Sequence, residues 1–358
     1  MFFVQDSSLF ARPFDEERLE FSGPPIRIVD GIPITTPGRA PFSVSAAGVL
    51  AYWPYTLGTP AVLRWFERDG RASTAVDLPA QYRGFALSPE GRRLVFSRIS
   101  KTGAADLWLR ELDRNSETQL TFEGAAVTPQ WSPDATRLAF SGYCQSPPPK
   151  LFVRNVTGTA AASHLGDTLL ANFASSWSAD GRSVISVRAQ DPANGHDLWI
   201  QQFTDGVAER LPFNTRFNES HGKVSPDGSW IAYTTDESGK NEVWVASFVA
   251  GKNRRQVSVG GGRFPQWTND GSEIVYVSDD KQLMAAPFAG RSGDVQSGPP
   301  KALFRIANLI DVDQFLWPTA NVFLATSNGR RFLAAVSARD PDAPSISVIV
   351  NWPALLPR

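Results

Sequence analysis

VSPDGSWIAYTTDESGKNEVWVASF, residues 224–248, decides how the rest of the chain reads. Ser225-Pro226-Asp227-Gly228 is a tight turn: proline fixes φ, the aspartate accepts a local backbone N–H, and glycine takes the positive φ that other residues resist. Trp230-Ile231-Ala232-Tyr233 follows as an apolar run without polar alternation, the pattern of a strand covered on both faces. Asp236-Glu237-Ser238-Gly239 turns the chain again, and Glu242–Phe248 supplies a second strand carrying Trp244.

The same turn recurs along the chain, beginning at Ser45, Ser88, Ser132, Ser178, Ser225, Thr268 and Thr326, with successive gaps of 43, 44, 46, 47, 43 and 58 residues. A period in the mid-forties with several short strands per unit predicts β-propeller blades rather than a helical solenoid. Each turn leads into an apolar run, among them RLVFS (93–97), RLAFS (137–141), SVISV (183–187) and EIVYV (273–277). A second, aromatic-rich run follows: LRWFERD (63–69), DLWLREL (106–112), KLFVRNV (150–156), DLWIQQF (197–203) and QLMAAPF (282–288). These are strands B and C of a four-stranded blade, with A just before the turn and D after the second run. Trp131, Trp177 and Trp267 stand immediately before their turns, while Trp65, Trp108, Trp199 and Trp244 stand within strand C. Recurrence at every period suits packing between blades better than an aromatic ligand cage.

The termini break the pattern. Residues 2–32 read as strands B, C and D of a blade lacking its A strand, and VFLAT (322–326), RFLAAV (331–336) and SISVIVNW (345–352) read as A, B and C. Pairing the termini in one blade would remove exposed edges. The expectation is therefore one all-β propeller over residues 1–358, with 1–32 and 315–358 forming the closing blade around six repeat blades in 33–314. Seven blades are preferred, with six or eight as the alternatives.

Composition narrows the function. The 358 residues are 42% hydrophobic and 20% charged with a formal net charge of −1, enough for a large core and without the basic surplus a nucleic-acid partner requires. Cys144 is the single cysteine, so no intramolecular disulfide forms. No apolar window reaches the length of a membrane span, and residues 1–20 lack a secretory pattern.

The SPDG-type turns, RLAFS- and WIAYT-like strands and DLW-like strands resemble the TolB-type, WD-like propeller repeats of bacteria over nearly the whole chain. LFARPFDEERLEFSGPP (9–25), FSVSAAGVLAYW (42–53), QLTFEGAAVTPQWSPD (119–134), RFNESHGKVSPDG (216–228) and ISVIVNWPALL (346–356) look closest to the C-terminal propeller region of bacterial receptor-type serine/threonine kinases. That resemblance implies a sensor or interaction propeller. It carries no kinase activity, because the phosphate-binding loop, the catalytic loop and the metal-binding motif of a kinase are all missing from this sequence. The chain would be cytoplasmic if complete and extracytoplasmic or periplasmic if part of such a receptor, and a start in mid-strand favours the latter.

No G-x-S-x-G elbow, H-E-x-x-H or Cys/His cluster occurs, and His164, His196 and His221 fall in different repeats. The turn aspartates Asp134, Asp180, Asp227 and Asp270 recur too regularly for catalysis and read as turn carboxylates. Asp236–Glu242 lacks the carboxylate spacing of a calcium loop and reads as a hairpin turn. No catalytic residue, metal ligand or cofactor is assigned. The segments leading into strand A should converge on one mouth of the central channel, and they carry Arg39, Arg83, Arg263, Glu219 and His221. Three guanidiniums around one mouth suit a carboxylate or an acidic peptide; the plainer reading is that they pair with nearby acids or remain solvated. The function expected is a non-catalytic module binding a protein, peptide or small acidic ligand on its loop face. The alternative is a propeller hydrolase or lactonase with a dispersed, metal-dependent site in the channel.

Overall fold

A computed structural model describes the chain apart from residues 6–7, 31, 33–39, 41, 46, 53–59, 77–79, 101–102, 143–147, 159, 167–169, 192–194, 204–207, 213, 292–293, 307, 311–318, 327, 339–346 and 356–358. Arg39 and Cys144 thus lie outside the described residues. The chain is all-β and divides into two units, Pro60–Ser337 and Met1–Thr59 with Ala338–Arg358.

In Pro60–Ser337 the repeat grammar yields successive antiparallel sheets with strands in the order A, B, C, D. Sheet I comprises Tyr82–Leu87, Arg93–Ile99, Ala105–Glu111 and Ser116–Gln119; sheet II comprises Ala126–Trp131, Arg137–Gly142, Lys150–Asn155 and Ser163–His164. Sheet III comprises Ala171–Trp177, Ser183–Asp191, Gly195–Gln202 and Ala208–Arg210; sheet IV comprises Glu219–Val224, Trp230–Thr235, Glu242–Ser247 and Arg255–Gln256. Sheet V begins with Arg263–Trp267, Glu273–Val277 and Gln282–Arg291, and its third strand pairs with both Asp294–Ser297 and Lys301–Arg305.

Sheet VI joins distant parts of the chain. Phe323–Ala325 and Arg331–Ser337 supply A and B, while Ala61–Glu67 and Ala72–Ala75 supply C and D. Arg331–Ser337 runs antiparallel to Ala61–Glu67 with Leu333 opposite Trp65 and Phe332 opposite Phe66. The expected blade of 1–32 with 315–358 is therefore replaced by a different pairing. The reason lies in the apolar faces: Phe66 and Phe332 both pack on Phe304 of sheet V, so the two strands share one core once paired. Six sheets of blade pattern stand in this unit among the described residues, against the preferred count of seven.

Each sheet shares a buried apolar cluster with the next. Leu107 of sheet I packs with Phe140 of II, Leu151 of II with Ala174 of III, and Val187 of III with Tyr233 of IV. Val243 of IV packs with Tyr276 of V, Leu283 of V with Phe323 of VI, and Leu333 of VI with Phe96 of I. The succession thus returns to its first sheet, and the A strands of successive sheets lie side by side. 

The turns are built as the sequence suggests. Ser132 Oγ donates to Asp134 Oδ1 at 2.5 Å and Ser178 Oγ to Asp180 Oδ1 at 2.6 Å, while the N–H groups of Arg137 and Ser183 donate back to those serine oxygens at 2.9 Å. These bonds favour the ionised carboxylate and hold Asp134 down at about 2. The indoles before the turns stitch sheet to sheet: Trp131 Nε1 donates to Ala86 O at 3.0 Å, Trp177 Nε1 to Gln130 O at 3.1 Å, and Trp267 Nε1 to Lys223 O at 2.8 Å. Arg93 and Arg137 then cover the outer faces of Trp131 and Trp177, 4.7 and 4.8 Å from the ring centroids.

In the other unit, Phe2–Gln5, Ser8–Ala11 and Ile26–Asp30 form one three-stranded antiparallel sheet. Val49–Tyr52 lies between Phe42–Val44 and Ser347–Val350 in a second. Leu9, Ile32 and Leu50 are fully buried there, and Phe2 meets Trp352 edge-on at 4.8 Å.

Candidate ligand-binding site

Strand A of sheets I to V is bulged where it pairs with strand B, the register slipping across Tyr82/Phe85, Val127/Gln130, Ala174/Ser176, Ser220/Lys223 and Arg263/Gln266. A bulge re-aims the side chains around it. Thr128, His221 and Phe264 occupy the left-handed region at φ 50°, 53° and 60°, a conformation uncommon for residues other than glycine. At the equivalent place in sheet I stands Gly84 (φ 128°), where an added Cβ would come within 3.1 Å of the Thr128 Cα.

The expected mouth residues that the structure describes begin these strands. Arg83, half-buried, is the second residue of its A strand, and Arg263 is the first of its own. Five residues before their turns, Arg263 of V, Asn321 of VI and Arg83 of I occupy equivalent places in three successive sheets. Asn321 is held by both ends of its amide: Gln266 Nε2 donates to its Oδ1 at 3.2 Å, and its Nδ2 donates to Phe85 O at 3.1 Å. The Arg263 guanidinium lies 3.1 Å from the side-chain amide of Asn241.

Glu219 and His221 have different surroundings. Glu219 is fully buried; its Oε1 accepts from the Thr215 hydroxyl at 2.7 Å and the Thr215 N–H at 3.2 Å, while Oε2 has no hydrogen-bond partner. Burial pushes this carboxyl up to about 7. His221 Nδ1 lies 2.9 Å from Ser220 Oγ, its ring meets Phe264 edge-on at 4.6 Å, and its Nε2 is buried without a partner. Burial, with Lys223, Arg263 and His196 in electrostatic reach, drives its pKa down to about 3, so the imidazole is neutral at pH 7.

Lys223 was not singled out from the sequence. Its Nζ donates to Ser175 O of sheet III at 2.6 Å and to Gln130 Oε1 of sheet II at 3.2 Å, so the side chain of sheet IV reaches past its neighbour to the sheet beyond. Burial lowers the ammonium to about 7. The signal was a lysine two residues before the turn, where glutamines, Gln130 and Gln266, stand in sheets II and V.

One other sequence reading resolves structurally. In the Asp236–Glu242 loop, Gly239 N–H closes a turn on Asp236 O at 2.9 Å. Glu242 accepts from the Ser258 hydroxyl and from the N–H groups of Gly260 and Gly261 at 3.0 and 2.9 Å, which fixes the glycine-rich connector. Asp106 does the same in sheet I, accepting from Thr121 Oγ1 at 2.9 Å and Gly124 N–H at 3.1 Å. Among the described residues no group of three or more His, Cys, Asp or Glu side chains could hold a metal ion, and no helix is long and apolar enough to cross a membrane.

Repeating four-stranded sheets, serine–aspartate turns and first strands that lie side by side define a β-propeller. Residues 122–298 match the family described as TolB beta propeller domain, and the repeats in that span are TolB-type repeats. The chain is 26% identical over 158 residues to an uncharacterized protein of Agrobacterium fabrum (strain C58), covering 44% of this chain and 52% of that protein. It is 27% identical over 170 residues to a TolB homolog of Chlorobium luteolum, covering 46% of this chain and 37% of the homolog. The chain thus spans about half the length of the first relative and little more than a third of the second. A solved structure assigned as TolB from Agrobacterium tumefaciens shares the fold with a TM-score of 0.59 at 18% identity, over 79% of this chain and all of that one.

Proposed function

We propose that this propeller is a non-catalytic module that binds an acidic protein or peptide segment at the mouth where its A strands begin. The observation that carries the reading is the arc Arg263–Asn321–Arg83 in three successive sheets, with His221 and Lys223 set further along the same bore. Guanidiniums held at fixed spacing recognise carboxylates by paired, charge-assisted bonds. TolB-type repeats support a protein-binding role. The likeness to the propeller region of receptor-type kinases supports use as the sensor or interaction part of a bacterial signalling protein.

Selection of peptides from a random display library on the intact chain tests the reading. The selected peptides should be enriched in Asp and Glu, and the double variant Arg83→Glu/Arg263→Glu should fail to retain them. Selection without acidic bias, or equal retention by the charge-reversed variant, would contradict it.

A further inference from the structure

Lys223 is a buried lysine whose neighbours leave part of its donor capacity unanswered. An ammonium has three N–H donors. Two of those on Lys223 are taken by Gln130 Oε1 and Ser175 O, and neither acceptor carries charge. Among the described residues no carboxylate forms an ion pair with Lys223, although other basic side chains of this unit do have such partners, as Arg210 has Asp197 and Arg254 has Glu237. A buried charge without a counter-charge is expensive, and a site that retains one is poised for a counter-ion from outside.

A second group points the same way. His221 Nε2 has no partner, and His221 stands within electrostatic reach of Lys223. In the tautomer whose Nδ1 accepts from the Ser220 hydroxyl, Nε2 carries the proton and is a donor. The unusual backbone at His221, φ 53° within the bulge, sets the direction of that ring. Lys223 and His221 are 8% and 9% exposed as whole residues, while His221 Nε2 itself is buried. Counted back from the turns, Arg263 stands at five residues, His221 at four and Lys223 at two, a series that runs from the mouth inward.

We infer that the bore of this propeller is a carboxylate site, in which one carboxylate accepts from the free Lys223 N–H and from His221 Nε2–H after passing Arg263. This rests on the mouth reading above and deepens it, since the carboxylate is either an acidic side chain of the bound segment or a free small carboxylate. The three donors then differ in duty. Arg263 attracts, Lys223 neutralises, and His221 orients.

The experiment titrates the intact chain with sodium acetate and, separately, with the capped peptide Ac-Glu-Glu-Glu-Glu-NH2, following heat by calorimetry. At least one should bind saturably at a single site, and Lys223→Met should weaken it by tenfold or more. Removing a buried charge should leave the urea midpoint of that variant unchanged or raised; should it fail to fold, Lys223→Gln serves in its place. Acetate binding lost in the lysine variant identifies a free carboxylate as a sufficient ligand, and peptide binding lost in it identifies a protein-borne one. Peptide binding that survives Lys223→Met but is lost in Arg263→Glu would overturn the bore site and leave the mouth reading standing. Absence of saturable binding by either probe would overturn both.

Discussion

Single residues in this chain do two kinds of work that the repeat keeps apart. Trp131, Trp177 and Trp267 each give an indole N–H to the preceding sheet, a bond the fourth sheet lacks because Val224 stands in that place. Trp177→Phe keeps most of the ring but leaves Gln130 O without its donor. It should cost about 1–3 kcal/mol in urea unfolding, whereas Trp199→Phe within strand C, which orphans no such carbonyl, should cost less. Glu219 belongs to the other kind. Its carboxyl ordinarily titrates near 4.5 and is held at about 7 in the folded protein, so the unfolded chain releases its proton first as pH rises. The associated stability is complete below about 4.5 and is lost as pH climbs through 7. Glu219→Gln removes that titration, and its urea midpoint should fall less steeply between those pH values than that of the parent protein. An identical pH profile for both proteins would show that Glu219 does not titrate as its burial dictates.

Strands B and C were legible because adjacent strands joined by a short turn need only local grammar: an apolar run, a turn, an aromatic run. The partner of Arg331–Ser337 was not legible in the same way. Its mate, Ala61–Glu67, is remote in the chain, and the run Ser8–Ala11 within the expected partner 1–32 had an equally strand-like composition. What separates them is the shared core of Phe66, Phe332 and Phe304, which no local pattern displays. Likewise the place of Arg83 and Arg263 at the start of their A strands could be read, but Lys223 required knowing that Gln130 and Ser175 come to it from two other sheets. The pairing can be trapped chemically. Val62 lies opposite Val336, and directly opposed residues of antiparallel strands have Cα atoms about 4.5–5.5 Å apart, within disulfide range. With Cys144 replaced by Ser, oxidised Val62→Cys/Val336→Cys should migrate faster on a denaturing, non-reducing gel and return to normal mobility on reduction. Failure to cross-link under conditions that oxidise an exposed control pair would count against this sheet.

At the scale of the molecule, the repeat in Pro60–Ser337 supplies rigidity, and the proposed recognition falls to the departures from it. Serine–aspartate turns, indole bridges and carboxylates anchoring the connectors recur from sheet to sheet and account for the fold. His221 and Lys223 stand in one sheet only, Arg83 and Arg263 share one repeat place in two sheets, and all four lie on A strands. Binding at this end should therefore be salt-sensitive, weakening as ionic strength rises from about 0.05 to 0.5 M, because the attraction between the mouth and an acidic segment is screened. The most direct measurement is amide hydrogen exchange on the intact chain with and without a selected acidic peptide. Protection is predicted at residues 82–85, 219–223 and 263–266, where the A strands begin. Protection confined to the outermost strands, Ser116–Gln119, Ala208–Arg210 and Arg255–Gln256, would contradict the account.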